Sequence, residues 1–204
     1  RSPGSSIFLN DADANIAQNN LLIGGTGTGI YSYLGDTETV GNQLLENTLL
    51  SMADNGIDIS GASGSVLSGN IIDSPSSNYA IYLRGGARLV TLNGNVISNA
   101  AAYGIHNSGG GDVWAEGNVI STTNTAFYTN TGNITFVRNT VSNIENGYYQ
   151  TFDDTGNCTI EENTIVSVNS YGIVILYSGG NLVSGNTIQN GGSNSYAINF
   201  SAEG

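Results

Sequence analysis

The chain has 204 residues, enough for one domain with a continuous core, and it reads as a single domain over 1–204. Only 10% of the residues are charged, yet the formal net charge is −12, with no lysine and four arginines (Arg1, Arg84, Arg88 and Arg138). Such a surface repels phosphate backbones, which argues against nucleic acid as a partner, and no apolar run approaches the length of a membrane span.

The first predicted element is the segment Ser6-Ile7-Phe8-Leu9-Asn10, a strand with Ile7 and Leu9 facing inward. From Asn20 onward a short pattern, Asn-x-[Ile/Leu/Val], returns eight times, at Asn20, Asn47, Asn70, Asn95, Asn118, Asn139, Asn163 and Asn186. The steps are 27, 23, 25, 23, 21, 24 and 23 residues. A period in this range without helical spacing marks a solenoid whose repeat is one coil of strands.

Alignment on the asparagines predicts three short strands per coil. The first follows a small residue, as in Gly29-Ile30, Gly56-Ile57, Ala80-Ile81, Gly104-Ile105, Ala126-Phe127, Gly147-Tyr148, Gly172-Ile173 and Ala197-Ile198. The second carries an inward residue three positions before the asparagine: Leu44, Leu67, Leu92, Ala115, Phe136, Ile160 and Val183. The third carries the Ile, Leu or Val two positions after it. Alternation turns one set of side chains inward and the next outward. The asparagines are expected to stack as a ladder at a sharp bend, each amide bonding to the next coil, because Asn tolerates left-handed backbone angles. Gly69, Gly94, Gly117 and Gly185 suit the same tight turn. Cys158 aligns with Val90, Val113 and Ile134, so it reads as a small buried apolar residue. The closing segment Ala197–Ser201 is again a first strand.

These "G-I-x-x … G-N-x-I" repeats resemble the right-handed parallel β-helix family, the pectin-lyase-like superfamily, over roughly residues 6–201. The fold class implied is all-β, a right-handed parallel solenoid of about eight coils with no caps evident. The superfamily includes polysaccharide lyases, glycoside hydrolases, uronate epimerases, phage tailspikes, adhesins and surface-layer proteins, so the resemblance leaves the activity open. In the enzymes it resembles, sugar chains lie along the outer face of the first strand.

On that face alternation places Tyr31, Asp58, Tyr82, His106, Tyr128, Tyr149, Val174 and Asn199 in one outward file, with Arg84 in the adjacent file. Tyrosine rings suit stacking on sugars while staying partly wet, and equally serve as β-formers on an exposed strand. Arg84 is placed to hold a uronate carboxylate, and His106 and Tyr128 to act as base and acid in a β-elimination or epimerisation. Asp58 lies two coils from His106, near 10 Å, too far for a catalytic dyad. Trp114, outward between Thr91 and Thr135 on the second strand, is a second candidate glycan contact.

Three features weigh against catalysis: loops of only 8 to 11 residues from asparagine to small residue, no Asp-Pro-His-Glu motif of the kind alginate epimerases carry, and no clustered acidic site suited to Ca²⁺. Asp36-Thr37-Glu38, Asp153-Asp154 and Glu161-Glu162 read as solvated charge, and neither a metal nor a cofactor is implied. The expected function is an extracellular or cell-surface module with a structural or polysaccharide-contacting role. The alternatives are a lyase or epimerase acting on the first-strand face, and a head-to-tail filament subunit. The absence of an initial Met or signal peptide reads as a processed or excised segment. First strands at both ends, with Ile7 and Leu9 at one and Ile198 and Phe200 at the other, suit end-to-end association.

Overall fold

A computed structural model describes residues 4–33, 41–73, 78–151, 157–176, 179–190 and 195–201. Within them the chain winds as a right-handed parallel β-helix, and all described strand pairs are parallel, each strand bonded to its equivalents in the coils above and below. One coil runs Tyr79–Arg84, Val90–Asn93 and Val96–Ser98, and the next runs Tyr103–Ser108, Val113–Glu116 and Val119–Ser121. The second strands stack into a separate eight-stranded sheet, which counts eight coils among the described residues. The first and third strands share one sheet, joined through two long strands.

Inward positions form three continuous apolar files. Ile30, Ile57, Ile81, Ile105, Phe127, Tyr148 and Ile173 come from the first strands, and Leu44, Leu67, Leu92, Ala115, Phe136 and Ile160 from the second. Leu49, Ile72, Ile97, Ile120, Val141 and Ile165 come from the third, and all are buried. Stacking explains the small residue before each first strand. A Cβ on Gly147 would lie 2.3 Å from the carbonyl oxygen of Gly172 in the next coil, and one on Gly56 would lie 2.6 Å from that of Ala80. Cys158 is buried, and that burial pushes its thiol pKa upward, so the reactive thiolate is disfavoured.

Two details differ from the sequence reading. In the later coils the third strand runs unbroken into the following first strand, giving Thr140–Thr151 and Thr164–Leu176 in place of separate short strands. Buried Ile144 and Val168 occupy the corner that Ala100 and Thr123 fill earlier, and the residue before each keeps the left-handed backbone of that corner, Asn143 (55°) and Ser167 (56°) as at Asn99 (59°) and Thr122 (55°). The crossing leaves a register shift between Ile144 and Asn146.

The second difference concerns the ladder. Its asparagines do not take the left-handed backbone; the residue before each one does. Positive φ falls on Asn19 (57°), Glu46 (53°), Gly69 (65°), Gly94 (61°), Gly117 (63°), Arg138 (52°), Glu162 (54°) and Gly185 (63°). This frees each asparagine to turn its amide into the core. The Asn118 Nδ2 donates to the Leu92 carbonyl (2.9 Å) and to Asn139 Oδ1 (3.0 Å). Its Oδ1 accepts from the Asn95 backbone N–H (2.9 Å) and from Asn95 Nδ2 (3.0 Å). The same four bonds recur at Asn47, Asn70, Asn95, Asn139 and Asn163. An amide with both donors and both lone pairs used, inside an apolar stack, is costly to remove. Asn118→Ala strands partners in both neighbouring coils and should cost about 3 kcal/mol or more in chemical denaturation. Asn118→Asp should cost more, because a carboxylate oxygen then faces the Leu92 and Asn139 oxygens.

Candidate functional site

Parallel register brings the outward file of the first strands into one line. Phe8, Tyr31, Asp58, Tyr82, His106, Tyr128 and Tyr149 are successive cross-strand partners, followed by Val174 and Asn199. Ring centroids lie 5.3 Å apart for Phe8–Tyr31, 5.0 Å for Tyr82–His106, 5.1 Å for His106–Tyr128 and 6.0 Å for Tyr128–Tyr149. The tyrosines of this file are half-buried, each with one part against its neighbours and the rest in water.

Asp58 is the one non-aromatic member between Phe8 and Tyr149, and Arg84 bridges the gap it leaves. The Arg84 Nε donates to Asp58 Oδ1 at 3.0 Å and Oδ2 at 3.3 Å, and its guanidinium carbon lies 5.6 Å from the Tyr31 ring centre and 5.5 Å from that of Tyr82. Its terminal nitrogen also donates to the Tyr31 hydroxyl at 3.4 Å. The cation thus stands where an aromatic ring would, held by carboxylate and π faces together. Burial lifts the Asp58 carboxyl above its ordinary range, opposed by the Arg84 guanidinium, while the bond to Asp58 raises the Arg84 pKa. Asp58 is 4% exposed, so its carboxylate faces Arg84 rather than solvent.

His106 is enclosed more than alternation suggested. Tyr79 and Tyr103 close on it from the side, with centroids 4.6 and 5.0 Å away, while Tyr82 and Tyr128 lie on its coil neighbours. The ring is 9% exposed and its Nδ1 finds no hydrogen-bond partner among the described residues. Burial lowers its pKa from 6.5 to about 4, so the imidazole is neutral at pH 7. The Tyr128 hydroxyl bonds Thr151 Oγ1 at 2.8 Å, in the next coil.

Tyr79 and Tyr103 are the site residues that sequence reasoning missed. They stack on each other at 5.6 Å, and Tyr103 stacks on Tyr128 at 4.8 Å. Simple alternation gives both the inward parity of Ile81 and Ile105. Alternation breaks there, because Ala80 and Ile81, like Gly104 and Ile105, are buried in succession, and the preceding ring is left on the outer face. The available signal was their fixed place, three residues before Tyr82 and His106 in consecutive coils.

Trp114 lies elsewhere, on the second sheet, as expected between Thr91 and Thr135. It is 47% exposed, and its indole N–H donates to Glu116 Oε2 at 2.8 Å. Glu161 and Glu162 lie at a corner, and Arg138 joins Glu116 and Glu162 in an exposed ion pair network. Asp36-Thr37-Glu38 and Asp153-Asp154 lie outside the described residues. No group of three or more metal-capable side chains occurs among the described residues, and no helix there is long and apolar enough to cross a membrane.

With this geometry in place, the family is decided by sequence: residues 55–203 match the model for the right handed beta helix region. The chain belongs to that family. Residues 1–89 also match the model for periplasmic copper-binding protein NosD. Those residues contain no histidine and no cysteine, and their single Met52 is buried, so they offer no soft or imidazole donor set fit for copper. A search of curated protein sequences gives no significant match. Two solved structures share the fold. One is PfbA, a surface adhesin of Streptococcus pneumoniae, at 13% identity and TM-score 0.68, covering 99% of this chain and 65% of that one. The other is the Streptococcus pneumoniae surface protein and adhesin PfbA, at 12% identity and TM-score 0.64, covering 98% and 70%. The chain therefore spans just under two thirds of the first structure's length.

The single histidine makes the enclosed ring directly measurable. Its NMR signals should titrate with a midpoint near 4 instead of 6.5. Because the unfolded chain takes up this proton at higher pH than the folded one, stability should be full above pH 6.5 and fall as pH drops toward 4, by up to about 3 kcal/mol. His106→Phe should remove that component of the pH dependence. A midpoint near 6.5 in the wild type would mean that the ring is open to water.

Proposed function

We propose that this β-helix is an extracellular surface module that binds a polysaccharide chain along its first-strand face. The observation that carries this reading is the unbroken file from Phe8 through Tyr31, Arg84, Tyr82, His106 and Tyr128 to Tyr149. At about 4.8 Å per coil it extends roughly 29 Å, long enough for several sugar units. Its rings are pre-stacked, so little side-chain freedom is lost when a ligand docks. Their hydroxyls supply donors and acceptors beside apolar faces, the combination a saccharide presents in return. The surface-adhesin description of the two similar structures named above supports the same setting.

A lyase or epimerase acting through His106, Tyr128 and Arg84 is the second reading. One observation favours it: the Nδ1 of His106 has no hydrogen-bond partner among the described residues. Two weigh on the other side. The ring is enclosed by four tyrosines, and the Arg84 guanidinium is already bonded to Asp58.

Calorimetric screening against neutral and uronate polymers should detect binding that falls at least tenfold in a Tyr82→Ala, Tyr128→Ala double variant with the β-helix spectrum retained. Absence of binding to every polymer would leave these tyrosines a purely structural role. Formation of unsaturated or epimerised product, abolished by His106→Gln, would establish the enzyme reading instead.

A further inference from the structure

A second concave feature lies away from the tyrosine file, on the second sheet. It is a groove of about 400 Å³ lined by Leu89, Thr91, Asp112, Trp114, Asn133 and Thr135, with Val90 and Val113 at its floor. That volume is in the range of small-ligand sites.

One corner of this groove carries an unusually large side chain. Register sets Leu89, two residues before Thr91, level with Ala14, Gly41, Gly64, Asp112, Asn133, Asn157 and Gly180 in the other coils. Leu89 is the only bulky residue in that column. The left-handed backbone falls at this same position on Ala14, Gly64 and Gly180, all small residues. In this coil a bulky leucine takes it, at φ 53°, a conformation that strains a side chain of that size. The strained leucine is 64% exposed, so burial within the chain does not repay the strain. Within the same groove stands Trp114, 47% exposed, with its indole N–H fixed by Glu116.

We propose that this groove is a binding subsite for a neutral saccharide, separate from the first-strand face. The Trp114 ring is an amphipathic platform for the apolar face of a sugar, and Leu89 walls one side. Thr91 and Thr135 flank the indole with hydroxyls. Asp112 and Asn133 form a polar edge, with the Asn133 amide donating to Asp112 Oδ1 at 2.7 Å and leaving the other carboxylate oxygen to accept from sugar hydroxyls. Asp112 is the only ionisable lining residue, and it is an anion on a chain of net charge −12, which disfavours an acidic ligand.

Trp114 is the only tryptophan in the chain, so its fluorescence reports on this groove directly. The test is titration of the intact chain with cellohexaose, maltohexaose, mannohexaose and hexagalacturonate. At least one neutral hexasaccharide should shift or quench the emission saturably, and hexagalacturonate should bind at least tenfold more weakly. Trp114→Ala, followed by calorimetry, should weaken the neutral ligand at least tenfold, and Trp114→Phe less. The Tyr82→Ala, Tyr128→Ala variant should leave the fluorescence response intact, so failure here and failure of the first-strand reading are distinguishable. Leu89→Asn supplies the residue found at the equivalent Asn133 and Asn157, one that tolerates the left-handed backbone. It should weaken binding at least fivefold while leaving the melting temperature unchanged or higher. A lower melting temperature with unaltered affinity would make Leu89 a packing residue and overturn its role. No response to any of the neutral hexasaccharides, or preference for hexagalacturonate, would overturn the proposal.

Discussion

The structure depends on the buried asparagine column. A parallel coil has no local hairpin to set its register, so something must fix each coil on the one below. The backbone ladders alone permit a one-residue slip that would turn every inward side chain outward. The asparagines prevent it, because each amide can satisfy its donors and acceptors only when the next asparagine stands directly over it. The apolar files follow from that alignment, and so does the line of outward residues.

This coupling explains why the candidate sites are periodic. A site on a solenoid is assembled from single residues contributed once per coil, so a ligand-binding row requires coils in exact superposition. The aromatic file tolerates one irregularity, Asp58, because Arg84 folds back over it and presents a flat cation between two tyrosines. The Trp114 groove uses the opposite device. It depends on one coil departing from the column, where Leu89 stands in place of a small or polar corner residue and takes up backbone strain.

Much of the fold was legible in the sequence because a periodic architecture repeats its evidence. Eight asparagines, eight small residues and three apolar files each specify the same coil, and the strand register matches that alignment. Legibility failed where strand alternation itself breaks or where a corner sets the backbone. Tyr79 and Tyr103 have inward parity yet lie outside, and the left-handed residue precedes the asparagine instead of coinciding with it. The outward positions of Tyr31, Tyr82, Tyr128 and Trp114 were readable. The commitment of Arg84 to Asp58 was not, because it joins residues 26 apart through a side chain that reaches back one coil.

Side-chain hydrogen exchange tests the ladder most directly. In amide-resolved NMR, the Nδ2 protons of Asn70, Asn95, Asn118 and Asn139 should exchange as slowly as the backbone N–H groups of Leu92 and Ile120 in the core, because both are released only when coils separate. Exchange of these side-chain protons at the rate of an exposed asparagine, with the backbone still protected, would show that the coils hold their register without the ladder and would contradict the account.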